Sequence, residues 1–374
     1  MTLPETEVFS QVQPSIIATR GPEAWARRQV VKRRLALGGL CVLLAGAMIW
    51  GIGAGAVHIA PGEVAALLGQ RVGLGEAAVS EPKPTILWSL RVPRVLLAVL
   101  VGSALGLGGA VVQSLFRNPL AEPSLIGISG GAAAAVVLFM VLGASLPWLA
   151  GLTEYLIPVA AFLGGMAAVI VVYRLATTNM HTHVSTLLLA GIMINALTGA
   201  IMSLMIFLAD DAQLRSITFW AMGSLGGARW QTLALIAPCI VPGLVILPLM
   251  ARTLNVMALG ETEASHLGVR VQRMKTLMVL LVALGVGGAV AASGIIGFIG
   301  LIVPHLLRMA FGPDHQLLLP GSALLGASLL LAADVLARVL AAPMELPIGI
   351  LTAMVGAPFF IWLLLRDRGR RSFT

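Results

Sequence analysis

Apolar residues run along this chain in long, almost uncharged stretches separated by short polar breaks. A bilayer core takes about 20 apolar residues per helix. Ten stretches fit or approach that length: 35–57, 95–115, 125–146, 155–173, 184–208, 232–251, 276–294, 296–312, 317–341 and 346–365. The pattern predicts an all-α polytopic membrane protein with ten transmembrane helices. Residues 276–304 carry no charge, which is too long a run for one span, and Ser293, Gly294 and Gly297 mark a turn that divides it. The eighth span is the most polar, holding Pro304, His305 and Arg308. A further uncharged stretch, 216–228, is too short to cross. With Phe219 and Trp220 inside it and Arg215 and Arg229 at its ends, it fits a helix lying in the membrane interface.

The basic residues orient these spans. Arg20, Arg27, Arg28, Lys32, Arg33 and Arg34 precede the first, and Arg366, Arg368, Arg370 and Arg371 follow the last. Two cytoplasmic ends require an even number of spans, which ten satisfies. The inside then also holds Arg117, Arg174, Arg252, Arg270, Arg273, Lys275 and Arg308. The outside holds only Arg71, Lys83, Arg91, Arg94, Arg215, Arg229 and Arg338, a clear positive-inside bias. The chain divides into a basic cytoplasmic N-terminal tail (1–34), a transmembrane domain (35–365) and a cytoplasmic C-terminal tail (366–374). The N-terminal tail is too long and too mixed in charge for the start of a cleaved signal, so the first span is expected to be retained.

Composition agrees. Apolar types make up 58% and charged types 11%, with mean hydropathy +0.97, against about 45–50% apolar in soluble domains. That excludes a soluble enzyme, a nucleic-acid-binding domain and a disordered chain. The net charge of +8 reads as membrane topology and not as a nucleic-acid partner. Cys41 and Cys239 each lie in an apolar run and read as small buried hydrophobes. Gly102, Gly106 and Ala110 form a small-residue row in the second span, where helix backbones can approach closely.

Signatures of catalysis are missing. None of the three lysines, Lys32, Lys83 and Lys275, sits in a phosphate-binding loop, and no C-x-x-C, H-E-x-x-H or G-x-S-x-G occurs. The chain is therefore not expected to hydrolyse nucleotide or to bind a cofactor or metal. His181 and His183 read as solvated loop residues. Carboxylates within a membrane mark ion or proton coupling, and the spans hold almost none. Asp334 is the exception, and it stands four residues before Arg338, where a local ion pair forms on one helix face. A carrier driven by protons or sodium would show more, which favours an outside energy source. Between the sixth and seventh spans, the segment 252–275 reads as a short amphipathic helix. Leu259, Ala264 and Leu267 are its apolar positions, Glu261 and Glu263 its acidic start, and Gly268 its stop. It is either a surface connector or a helix that docks on a cytoplasmic partner.

At this segment the sequence resembles the permease subunits of type II ABC importers, the family that takes up vitamin B12, haem and ferric siderophores. The resemblance rests on Arg91-Val-Pro-Arg94, Phe116-Arg-Asn-Pro-Leu-Ala-Glu-Pro-Ser-Leu-Ile-Gly-Ile-Ser129, Leu187-Leu-Leu-Ala-Gly191, Gly260-Glu-Thr-Glu-Ala-Ser-His-Leu-Gly-Val269, Gly297-Phe-Ile-Gly-Leu-Ile-Val-Pro-His-Leu-Leu-Arg308 and Glu345-Leu-Pro-Ile-Gly349. Together they extend from about residue 60 to 365 in the family's order. The resemblance implies a homodimer in the bacterial cytoplasmic (inner) membrane, with the path along the dimer axis. It implies two separate cytoplasmic subunits that bind ATP and Mg, and a periplasmic substrate-binding protein on the other face. Leu259, Gly260, Glu261, Glu263, Ala264, Leu267 and Gly268 then form the ATPase-coupling segment. Arg91, Arg94 and Arg338, which break the positive-inside trend, correspond to arginines that pair with glutamates of the binding protein. The cytoplasmic gate falls at Val184 and Ser185, and Val184 departs from the hydroxyl residue the family often has there. Met193, Met202 and Met205 are candidates for the substrate path, by way of soft thioether contact with a haem iron. The segment 342–350 is similar to haem importers, so haem is the first expected cargo, ferric siderophore the second and cobalamin the third. Two other classes stand beside this one: an ATP-independent secondary transporter, and a membrane scaffold or sensor without flux.

Overall fold

The computed structural model describes residues 22–55, 57, 59–71, 73, 79–143, 152–178, 181–341 and 344–371. These residues are almost entirely helical. α1 (Pro22–Gly53) is 32 residues long. At about 1.5 Å per residue it exceeds a bilayer core of about 30 Å, and its basic first turns, with Arg28, Lys32 and Arg34 exposed, extend past the predicted start of the first span. α2 (Pro61–Arg71) opens on proline. α3 (Lys83–Ile86) runs through a π-helical turn at Leu87–Arg91 into α4 (Val92–Leu115). A 3₁₀ turn at Pro123–Ile126 leads to α5 (Ile128–Leu142), then α6 (Thr153–Ala176). A two-stranded antiparallel hairpin, β1 (Thr177–Thr178) and β2 (His181–Thr182), delivers the chain to α7 (Val184–Leu208).

α8 (Asp211–Ala221) and α9 (Trp230–Leu249) follow, then the short pair α10 (Ala251–Leu259) and α11 (Glu261–His266). α12 (Val271–Ser293), α13 (Ile299–Phe311), α14 (His315–Leu340) and α15 (Ile348–Arg371) complete the chain. Among the described residues, seven helices are long and apolar enough to cross a membrane, and three shorter apolar ones lie at Ile128–Leu142, Ile299–Phe311 and Ile348–Leu363. Each of the ten overlaps one of the predicted stretches.

The long uncharged run divides where expected. α12 stops at Ser293, Gly294 takes φ +68°, and residues 294–298 are non-helical before α13. The eighth stretch yields only 13 helical residues, about 20 Å of rise. The short helix expected at 216–228 lies earlier, at Asp211–Ala221. Asp210 accepts from the Ala212 and Gln213 amides while Gln213 returns a bond to the Asp210 amide, a full capping box. Gly223, at φ +70°, lies just beyond its end.

α4 is the centre of the packing, with α14, α12, α13 and α9 against it. Its small residues set the distances. A side chain at Gly102 would strike the backbone of Gly326 and Ala327, and one at Gly106 the carbonyl of Ser322, so α14 seats directly on α4. Gly109 makes the same close approach to Gly300 in α13. Elsewhere apolar side chains point outward, among them Leu163 and Ile170 on α6 and Leu189, Ile192 and Leu197 on α7. Cys41 is exposed on α1, contrary to the buried position expected of it, and Cys239 is half-buried.

Candidate functional site

At the end expected to be cytoplasmic, the single amphipathic helix predicted at 252–268 is two. α10 and α11 break at Gly260, whose φ of 144° and ψ of 150° fit no side-chain-bearing residue comfortably. The break sorts the three apolar positions. Leu259 is 69% and Leu267 65% exposed, whereas Ala264 is fully buried. Ala264 therefore holds α11 to the protein and does not belong to an outward docking face. Glu261 and Glu263 begin α11, and Gly268, at φ +84°, closes its last turn by donating to the Ser265 carbonyl. α10 is pinned from two sides. Arg117 donates to the Met257 carbonyl (2.8 Å), and the Asn255 amide donates to Asp314 (2.7 Å) while accepting from the His315 backbone (3.0 Å).

Val184 and Ser185 form the first turn of α7, with Val184 half-buried and Ser185 exposed. His181 and His183 before them are exposed, as expected, and the segment that carries them forms the β hairpin, tied to α12. The Thr182 amide donates to Gln272 (3.0 Å), and the Thr182 hydroxyl lies 3.1 Å from Tyr173 and 3.0 Å from Thr177. A cleft of about 720 Å³, lined by His181, Glu261, His266, Arg270 and Arg273, separates hairpin and coupling segment on the outer side.

At the opposite end, Arg91, Arg94 and Arg338 come together. Arg91 is only 6% exposed and donates to the carbonyls of Ile52 (2.6 Å), Gly53 (2.8 Å) and Val57. Arg338 donates to those of Ala54 (2.9 Å) and Gly51 (3.1 Å). The last carbonyls of a helix have no partners of their own, and two guanidinium groups supply them at the end of α1. Arg94 lies 2.9 Å from the fully buried Asp334 and grips Glu345 with both terminal nitrogens, at 2.8 and 3.0 Å. Arg338 Nε completes the expected i,i+4 pair with Asp334 at 3.1 Å. The hydrogen bonds from Arg94 hold the Glu345 carboxyl below its usual range. Sequence spacing exposed the Asp334–Arg338 pair but not Glu345, whose only signal was its place at the head of Glu345-Leu-Pro-Ile-Gly349.

Between the two ends, the loop after α4 meets the loop before α13. Glu122 accepts from the Phe298 amide (3.2 Å) and the Ser124 hydroxyl (3.2 Å). Burial pushes its carboxyl upward. Phe298 sits at φ +69°, a left-handed position rare for an aromatic residue, and its ring fills the space over Gly356. Gln113 donates to the carbonyls of Gly300 and Leu301 and accepts from Arg308. The three methionines do not converge. Met193 is exposed, while Met202 and Met205 pack with Val137, Val141 and Ile217 of α5 and α8. Among the described residues, no three His, Cys, Asp or Glu stand close enough to hold a metal.

A helical protein with seven helices long and apolar enough to cross a membrane, an exposed pair of short helices at one end and a cluster of arginines at the other is compatible with an importer permease, and sequence comparisons give the family. Residues 42–366 match the model of the FecCD transport family. The hemin transport system permease protein HmuU of Yersinia pestis is 51% identical over 284 residues, covering 76% of this chain and 84% of that protein. The vitamin B12 import system permease protein BtuC of Klebsiella pneumoniae is 40% identical over 347 residues, covering 92% and 98%. A solved structure described as an inward-facing conformation of a metal-chelate type ABC transporter superposes with TM-score 0.76 at 32% identity, covering 88% of this chain and 98% of that one. The chain belongs to the FecCD transport family of ABC-importer permease subunits and is an inner-membrane protein.

Proposed function

We propose that this chain is the transmembrane subunit of an ATP-driven importer that moves haem from periplasm to cytoplasm. The 51% identity to a hemin permease carries the choice of cargo. Ferric siderophore or cobalamin import by the same mechanism is the second reading, and the near full-length match to a vitamin B12 permease favours cobalamin within it. Ten membrane crossings with both ends cytoplasmic accommodate the three short apolar helices if their non-helical extensions are buried in protein. The outward apolar residues of α7, Met193 among them, suit a homodimer interface and path. Leu259 and Leu267 present apolar contacts to a cytoplasmic ATPase subunit, which supplies the ATP and Mg chemistry. Val184 and Ser185 form the gate. On the periplasmic side Arg94 makes the docking contact, because its partner Glu345 is the accessible member of the network, and Arg91 and Arg338 brace it from beneath. Residues 1–34 and 366–374 are the cytoplasmic tails.

Proteoliposomes holding the permease, its ATPase subunit and its binding protein test the cargo. Uptake of haem at ten times or more the rate of a ferric siderophore or cobalamin supports the reading. Faster cobalamin or siderophore uptake replaces haem as the cargo.

A further inference from the structure

We propose that Lys275 is the relay through which the coupling segment moves the cytoplasmic gate, by holding Glu261 and the backbone of Thr182 at once. The proposal rests on the importer reading above and adds to it a residue through which the ATPase stroke reaches the gate.

Lys275 lies one turn into α12 and its side chain is only 5% exposed. A lysine so buried needs partners, and an ammonium has three N–H donors to share among them. One goes to Glu261 Oε1 at 2.7 Å, the first residue of α11. Another goes to the Thr182 carbonyl at 3.4 Å, two residues before Val184. Three separate elements therefore meet at one nitrogen atom.

The surroundings make the connection stiff on the gate side. Gln272, one turn earlier in α12, accepts from the Thr182 amide, so both backbone groups of Thr182 are held by the same helix. Tyr173, near the end of α6, holds the Thr182 hydroxyl at 3.1 Å and is itself 2.6 Å from Thr276 of α12. The His183 amide donates to the Ala176 carbonyl, which closes the hairpin. On the coupling side the connection is the reverse. α11 is six residues long, meets the protein through the buried Ala264, and has Gly260 and Gly268 at left-handed φ on either side. A partner that pushes α11 therefore moves Glu261 relative to α12. The ion pair passes that displacement to Lys275, and because the hairpin is bound to the same first turns of α12, that end of α12 and the hairpin move together. The charge is what makes the link hold, since Glu261 is 45% exposed and would otherwise turn to water.

The test uses the complete complex in proteoliposomes and reads substrate imported per ATP hydrolysed, a ratio that a merely structural loss of protein does not change. Lys275→Met is expected to lower the ratio at least tenfold while ATP hydrolysis continues, and Lys275→Arg to retain most of it. Glu261→Gln, which leaves the buried lysine in place, is expected to lower the ratio too, and the double variant to be no worse than Lys275→Met alone. A ratio within twofold of the unaltered protein in Lys275→Met overturns the relay. If Lys275→Met does not fold, the same result in Glu261→Gln overturns it. Absence of ATP-driven uptake by the unaltered complex instead overturns the importer reading, and the relay with it.

Discussion

Gly102 is the position at which the packing of the central helix pair can be tested most sharply. A methyl group there would lie 2.5 Å from the Gly326 carbonyl oxygen and 2.8 Å from the Ala327 Cα, both backbone atoms that cannot swing aside. Ordinary carbon–oxygen contacts lie at about 3.3–3.6 Å, so α4 and α14 must part by about 1 Å. A gap of about 0.5–1 Å forfeits a quarter to a half of each van der Waals contact, worth about 0.1–0.2 kcal/mol apiece. Summed over the many contacts of a helix–helix seam the loss is about 1–2 kcal/mol, inside the usual range for overpacking. Alanine also favours helix over glycine by up to about 1 kcal/mol, so the comparison must cancel that gain. Gly199 in α7 is the control, since a methyl group there meets nothing within 4 Å. Equilibrium unfolding in detergent micelles should place Gly102→Ala about 1–2 kcal/mol below Gly199→Ala. Gly326→Ala, whose methyl would press on the Gly102 carbonyl, should add little to Gly102→Ala, because both force the same seam apart. Equal stability of Gly102→Ala and Gly199→Ala would refute the argument that backbone contact sets this seam.

Further outcomes follow from the polar sites. Glu122→Ala strands the Phe298 amide and should cost about 1–3 kcal/mol, measured by the same unfolding assay. Glu122→Gln keeps an acceptor. Because burial raises the Glu122 carboxyl, its ionisation weakens the fold as pH rises from the usual carboxylate range through the raised folded value, and the Gln variant should lose that decline. Asp334→Ala leaves Arg94 and Arg338 facing each other without the buried carboxylate between them and should cost about 3–5 kcal/mol. The Glu345 carboxyl is lowered by Arg94, so its contribution is present above about pH 4.3, the unfolded value. It is lost as pH falls through the lowered folded value, and Glu345→Gln should flatten that acid limb in a thermal-unfolding series. Leu259→Asp with Leu267→Asp should reduce copurification of the ATPase subunit at least tenfold at unchanged yield, whereas Ala264→Asp, which buries a charge, should lower the yield of folded permease.

The apolar runs made the long helices legible because a bilayer leaves little choice for twenty uncharged residues. The split near residue 294 was legible for the same reason, as one run exceeded a span and glycines marked the break. Elements that depend on polar or local bonding were harder. α8 starts five residues before the apolar stretch because Asp210 and Gln213 cap it, and α2 and the β hairpin carry no long apolar signal at all. At Gly260 the amphipathic pattern suggested one helix, and only the backbone turn revealed that Ala264 faces inward while Leu259 and Leu267 face out. Arg91, Arg94 and Arg338 were found by their unusual side of the membrane. What they touch inside the chain was not legible, since Arg91 binds carbonyls and carbonyls have no sequence. Glu345 and Lys275 escaped for a related reason, as their partners are 251 and 93 or fewer residues away along the chain.

If the proposed function holds, the permease alone moves no cargo, and direction and energy come from its partner subunits. Haem uptake into proteoliposomes decides it, with permease alone compared against permease plus ATPase subunit and binding protein, each with and without ATP and Mg. Accumulation is expected only in the complete system with ATP. Equal flux through the permease alone would contradict it.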